Sequence, residues 1–128
     1  MEPNFTILYV GDMPKSAAFY DALIQREPVE ASANFRVYVL STGARVALWQ
    51  RDDVQPAATA PGGVEFCLAV TSPADVDAVA ATWRERGIPI AQDPVLLEFG
   101  YSFVGLDPDG HRLRVHALSS DPAGTAEA

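Results

Sequence analysis

Two periodicities alternate along this chain, and they do so twice in the same order. Residues 5–10 (FTILYV) read as a strand, apolar on both faces, and 14–25 (PKSAAFYDALIQ) take helical spacing. Residues 35–40 (FRVYVL) and 45–50 (RVALWQ) predict two more strands. After a spacer over 51–63 (RDDVQPAATAPGG), the order recurs. Residues 64–70 (VEFCLAV) predict a strand, 73–86 (PADVDAVAATWRER) a helix, and 101–106 (YSFVGL) and 111–118 (HRLRVHAL) strands. A short extra strand is expected before each hairpin, near 28–30 and 88–91.

Local chemistry supports these elements. Ser72 is placed to cap free amides, Pro73 suits a first helical position, and Asp75 favours the positive helix end. Val76, Val79, Ala80 and Trp83 then make one buried stripe, and Gly87 is a helix stop. In the first helix Asp12 precedes Pro14, and Tyr20, Leu23 and Ile24 share a face. Thr42-Gly43 and Asp107-Pro108-Asp109-Gly110 read as hairpin turns. Aligning the halves matches Val10 with Val70, Pro28 with Pro89 and Gly43 with Gly110, which sets Ala47 opposite Arg114 and Trp49 opposite His116.

The expected fold is therefore α+β: two tandem βαβββ modules, about 4–50 and 64–118, in one domain over 1–128. A one-sided helix leaves each sheet's other face to be buried by a second module or a ligand. Two such sheets would form a partly closed, eight-stranded, barrel-like cleft with helices outside, a usual place for a small molecule. The small, polar segment 119–128 reads as a flexible tail.

Composition narrows the partners. The chain has 128 residues, 48% of them apolar, enough for a real core, and a formal net charge of −8. That charge argues against nucleic acid and anionic membrane; it would suit a cationic ligand and equally aids solubility. The single cysteine, Cys67, lies in an apolar run and allows no intrachain disulfide and no cysteine metal cluster. No signal-like segment and no apolar run of about 18 residues appears, so the expected location is cytoplasmic. No nucleophile paired with a base and no glycine-rich phosphate loop is evident.

With "VGDMPKSAAFY" and "DPDGHRLRV" at their spacing within this duplication, the chain resembles the vicinal oxygen chelate superfamily, which holds glyoxalase I and the bleomycin-resistance proteins. The resemblance spans residues 5–118. Carried over by motif, that superfamily's four metal-ligand positions fall on Phe5, Ala47, Glu65 and Arg114. A divalent ion wants several His, Glu or Asp ligands, and one carboxylate beside an arginine does not supply them. The resemblance thus implies the non-catalytic branch, with no metal and no cofactor. Tyr9 within "LYV", "FYDALIQREPV", Ala47-Leu48-Trp49 and "FGYSFVGLDPDGHRLRV" look like the phenazine-antibiotic resistance proteins. In such proteins a homodimer forms clefts where a planar tricyclic ligand stacks on aromatic side chains.

Strand alternation then supplies a candidate site. If Phe5 faces the cleft, so do Ile7 and Tyr9, then Ala47 and Trp49, Glu65 and Cys67, and Arg112, Arg114 and His116. The expected ligand-binding residues are Phe5, Ile7, Tyr9, Ala47, Trp49, Glu65, Cys67, Tyr101, Phe103 and Arg114, with none catalytic. Tyr101 and Phe103 share a face, but which face is left to the hairpin register. Trp49 also fits ordinary core packing, Phe5 a plug in the space of a metal site, and Glu65 with Arg114 a structural ion pair across the cleft. Arg114 is equally suited to a ligand carboxylate or to stacking on a ring. The function expected is sequestration of a planar aromatic antibiotic or metabolite. The alternatives are an atypical, metal-independent enzyme of this fold, a bleomycin-type cationic drug binder, and a module whose cleft holds a partner's side chains.

Overall fold

The computed structural model describes residues 1–118; the expected tail over 119–128 lies outside them. The chain divides into two compact units, Met1–Ala60 and Pro61 onward, and the boundary falls inside the 51–63 spacer.

The first unit contains β1 (Phe5–Val10), α1 (Met13–Ile24), β2 (Glu30–Ala31), β3 (Phe35–Val39) and β4 (Arg45–Gln50). Its mixed sheet runs β1-β4-β3-β2, with β1 parallel to β4 and the other pairs antiparallel. Asp12 caps α1 by accepting from the Lys15 amide at 3.1 Å. Gly43, at φ 91°, makes the β3–β4 turn in a conformation that a Cβ would strain.

The second unit repeats the plan with β5 (Glu65–Ala69), α2 (Pro73–Glu85), β6 (Ile90–Leu97), β7 (Gly100–Leu106) and β8 (Arg112–Leu118). Its sheet runs β5-β8-β7-β6, again with the first and last strands of the unit parallel. Ser72 caps α2 by accepting from the Asp75 amide at 3.2 Å. The registers repeat as well: Phe5 pairs Arg45 as Glu65 pairs Arg112, and Ile7 pairs Ala47 as Cys67 pairs Arg114. The expected α+β architecture is present, among the described residues, as two four-stranded mixed sheets with two α-helices.

Each helix covers one face of its own sheet. In the first unit the Arg36 and Tyr38 side chains both hydrogen-bond Asp21 of α1, which assigns that face of β3 to the helix. Tyr20, Val10 and Leu48 are fully buried in this unit's core. In the second unit Val76, Ala80 and Trp83 of α2 are buried, and Trp83 meets Phe103 of β7 edge-to-face with centroids 5.1 Å apart. Gly105 makes room for that indole: a Cβ there would lie 2.5 Å from Trp83 Cε3.

The strand before the second hairpin is longer than expected. The sequence suggests a few residues near 88–91, but β6 spans Ile90–Leu97 with two register shifts against β7. Pro94 and the adjacent polar residues obscure its alternation, while the shifts let the strand continue past them. Among the described residues no helix is long and apolar enough to cross a membrane.

Candidate ligand-binding faces

Strand pairing decides what each sheet presents on the face away from its helix, because directly paired residues share a side. In the first unit Tyr9 pairs Trp49 and Phe35 pairs Trp49, and both rings meet the indole. Tyr9 and Trp49 are edge-to-face at 6.4 Å and 75°, Phe35 and Trp49 at 5.9 Å and 90°. Alternation adds Phe5 and Ile7 to this face, and they remain 44% and 39% exposed. Ala47, between Ile7 and Val37 in register, is wholly buried, a small floor beneath larger neighbours. The result is an aromatic and aliphatic wall opposite the helix side.

The corresponding face of the second unit is organised around Arg114. Its Nε donates to Glu65 Oε2 at 2.7 Å and its Nη2 to Glu65 Oε1 at 3.3 Å. Its Nη1 donates to Gln92 Oε1 at 3.2 Å and to Ser102 Oγ at 3.0 Å. The guanidinium also lies 5.4 Å from the centroid of the Phe99 ring, a cation–π contact. Four strands therefore hold one arginine: β5 through Glu65, β6 through Gln92, β7 through Ser102, and its own β8. A cavity of about 260 Å³ opens beside it, lined by Glu65, Cys67, Phe99, Arg114 and His116. Ligand pockets are commonly about 300–1,000 Å³, so this recess holds part of a ligand rather than enclosing one. His116 Nδ1 is buried with no partner among the described residues. A second recess, of about 540 Å³, lies at the loop ends between Pro61–Glu65 and Gly110–Arg112.

The neighbours of these groups set their protonation. Arg114, by hydrogen bonding, holds the Glu65 carboxyl below its usual range, so it is ionised and paired at neutral pH. Burial pushes the Cys67 thiol up, with Glu65, 3.6 Å from the sulfur, adding to the effect. A thiol held protonated is a poor nucleophile. His111 is a turn residue: its Nδ1 contacts Asp107 Oδ2 at 2.7 Å, and Asp107 also accepts from the Asp109 and His111 amides.

Two sequence expectations need correction. Tyr101 and Phe103 do not share the Arg114 face. Phe103 is fully buried against Trp83, and the Tyr101 hydroxyl donates to Asp77 of α2 at 2.7 Å. The β7–β8 register explains this: Ser102 pairs His116 and Val104 pairs Arg114, so the odd-numbered residues of β7 turn to the helix. The Glu65–Arg114 ion pair does form, but between neighbouring strands of one sheet, not across a cleft. Sequence reasoning missed Phe35, Gln92, Phe99 and Ser102. Phe35 was within reach, since counting back from the Gly43 turn pairs it with Trp49, and Ser102 follows once the β7 face is known. Gln92 was lost with the true length of β6, and Phe99, outside the strands, carries no periodic signal.

The positions to which the resemblance carries metal ligands hold Phe5 and Ala47 in the first unit and Glu65 and Arg114 in the second. Their one carboxylate is engaged by the arginine, and among the described residues no group of three His, Cys, Asp or Glu side chains is placed to hold an ion. This donor set does not fit a divalent metal.

Comparison with known proteins agrees with the architecture. The chain is 29% identical over 119 residues to the phenazine antibiotic resistance protein EhpR of Enterobacter agglomerans, covering 91% of this chain and 92% of that one. The solution structure of ATC0852 from Agrobacterium tumefaciens superposes with a TM-score of 0.86 at 44% identity, over 93% of this chain and 98% of the other. A glyoxalase-related enzyme from Fulvimarina pelagi shares the fold at TM-score 0.81 and 21% identity, covering 100% of this chain and 94% of that one. The family model of the glyoxalase/bleomycin resistance protein/dioxygenase superfamily matches residues 3–115, and the chain belongs to that superfamily.

Proposed function

We propose that this protein binds and sequesters a planar aromatic antibiotic or metabolite of phenazine type, without chemical conversion, as a cytoplasmic homodimer. The observation that carries this reading is the wall of Tyr9, Phe35 and Trp49 with Phe5 and Ile7 exposed beside them. A flat tricyclic molecule buries its faces well on such a wall, and each offset or edge contact adds about 0.5–1.5 kcal/mol beyond burial. EhpR, by its name a phenazine resistance protein, supports the ligand class. The ionised, paired Glu65 and the protonated Cys67 support binding without turnover, since neither is poised as acid, base or nucleophile.

Equilibrium dialysis against phenazine-1-carboxamide, followed by chromatography of the recovered ligand, tests this reading. Saturable retention with the ligand recovered unchanged is the expected result. Time-dependent conversion would make the protein an enzyme, and no retention at high micromolar concentration would remove the phenazine reading.

A further inference from the structure

Register orders the open face of the first unit into three rows. Tyr9, Trp49 and Phe35 form one end row, Ile7, Ala47 and Val37 the middle row, and Phe5, Arg45 and Val39 the other end row. Paired residues share a side, so Arg45 belongs to the face that carries the aromatic wall. At about 3.3 Å per residue, it starts about 13 Å from Trp49 along β4. Its backbone is fixed, since the Arg45 amide donates to the Asn4 carbonyl at 2.9 Å. Arg45 is exposed, and among the described residues its side chain takes part in no hydrogen bond or ion pair.

Other cations of this unit are committed elsewhere. Arg36 is held by Asp21 at 2.7 Å on the helix side, and Arg26 donates to the Val39 carbonyl at 3.3 Å. Glu30 also shares the open face, opposite Val37 on the edge strand β2. It stands two strands from β4, thus about 10 Å to the side, beyond the Debye length of about 8 Å at physiological salt. A charge set at the far end of an apolar face is placed to read one end of a ligand lying along it. Arg45 offers a fork of N–H donors, which a carboxylate matches and a neutral amide does not.

On the binding reading above, we infer that Arg45 is a specificity-determining residue of this face, selecting planar aromatic ligands that carry a carboxylate at one end. The rings lie toward Tyr9, Trp49 and Phe35, Ala47 presents only a methyl between, and the carboxylate meets the guanidinium. A guanidinium that merely kept the strand end solvated would show no preference between such ligands.

Calorimetric titration at pH 7 and about 0.15 M salt, with phenazine-1-carboxylate and phenazine-1-carboxamide, separates these cases. The wild-type chain should bind the carboxylate about fivefold more tightly, the scale of one part-exposed charge pair. Arg45→Gln should abolish that preference and leave carboxamide affinity nearly unchanged, and Arg45→Glu should invert it. Lys15→Gln, on α1 at the opposite face, makes the same change in net charge as Arg45→Gln and should keep the preference. If the carboxamide binds and the carboxylate binds no more tightly, the role of Arg45 is wrong while the sequestration reading stands. A preference that persists in either folded Arg45 variant, or that Lys15→Gln also abolishes, would overturn it as well. If neither compound binds, the sequestration reading fails and the role of Arg45 with it.

Discussion

Arg114 and Tyr38 show how single residues set the character of opposite sheet faces. Arg114 is balanced by Glu65, and the pH dependence follows from that pairing. Because the folded-state Glu65 pKa is depressed, its stabilisation is fully present above the unfolded carboxylate value and is lost as pH falls through the folded one. Glu65→Gln should therefore cost about 1 kcal/mol at neutral pH, typical of a part-exposed pair with hydrogen bonds, and nothing once wild-type Glu65 is protonated. Chemical denaturation of both chains between pH 3 and 7 would check it; a constant difference across that range would contradict the pairing. Tyr38 behaves oppositely. Burial, reinforced by its hydrogen bond to Asp21, pushes its hydroxyl up to about 12. Its stabilisation is complete below the unfolded tyrosine value and lost as pH rises through about 12. Ultraviolet titration should show a late phenolate step that disappears in Tyr38→Phe; loss of no late step would contradict this placement.

Elements were legible where they carry their own periodicity and punctuation. Asp12 and Ser72 mark the helix starts and Gly43 and Gly110 the turns, while the strands alternate without marking which side takes the helix. Alternation groups Phe5, Ile7 and Tyr9 on one side and Ala47 with Trp49 on one side, but the side that faces away from the helix rested on the resemblance. What escaped depends on pairing, which no single strand encodes. Tyr101 and Phe103 needed the β7–β8 register, and Gln92 needed a strand that continues through Pro94 by shifting its partners. Gly105 belongs here too, since its lack of a side chain matters only because Trp83 of α2 rests on it. Gly105→Ala should destabilise the chain by about 1–3 kcal/mol through overpacking at a buried ring. Thermal or denaturant unfolding would measure it, and an unchanged midpoint would show that the indole moves aside at no cost.

At the scale of the whole molecule, one βαβββ plan is used twice with different chemistry on the open face. The first unit presents an aromatic wall and the second a polar network around a balanced arginine. The positions to which the resemblance carries metal ligands hold Phe5 and Ala47 in the first unit and the paired Glu65 and Arg114 in the second. The proposed ligand class is not written in composition or charge; it rests on the aromatic wall together with the likeness to a phenazine antibiotic resistance protein.

The chain's two tryptophans allow a direct test of that central reading. Trp83, on α2, is buried against β7 at 4% exposure, whereas Trp49 lies on the open aromatic face. Titration of tryptophan fluorescence with phenazine-1-carboxamide should give saturable quenching of the Trp49 contribution, and folded Trp49→Ala should bind far more weakly and lose the saturable component. The absence of saturable quenching at high micromolar ligand, or equal saturation in Trp49→Ala, would contradict the proposal that this face binds planar aromatic molecules.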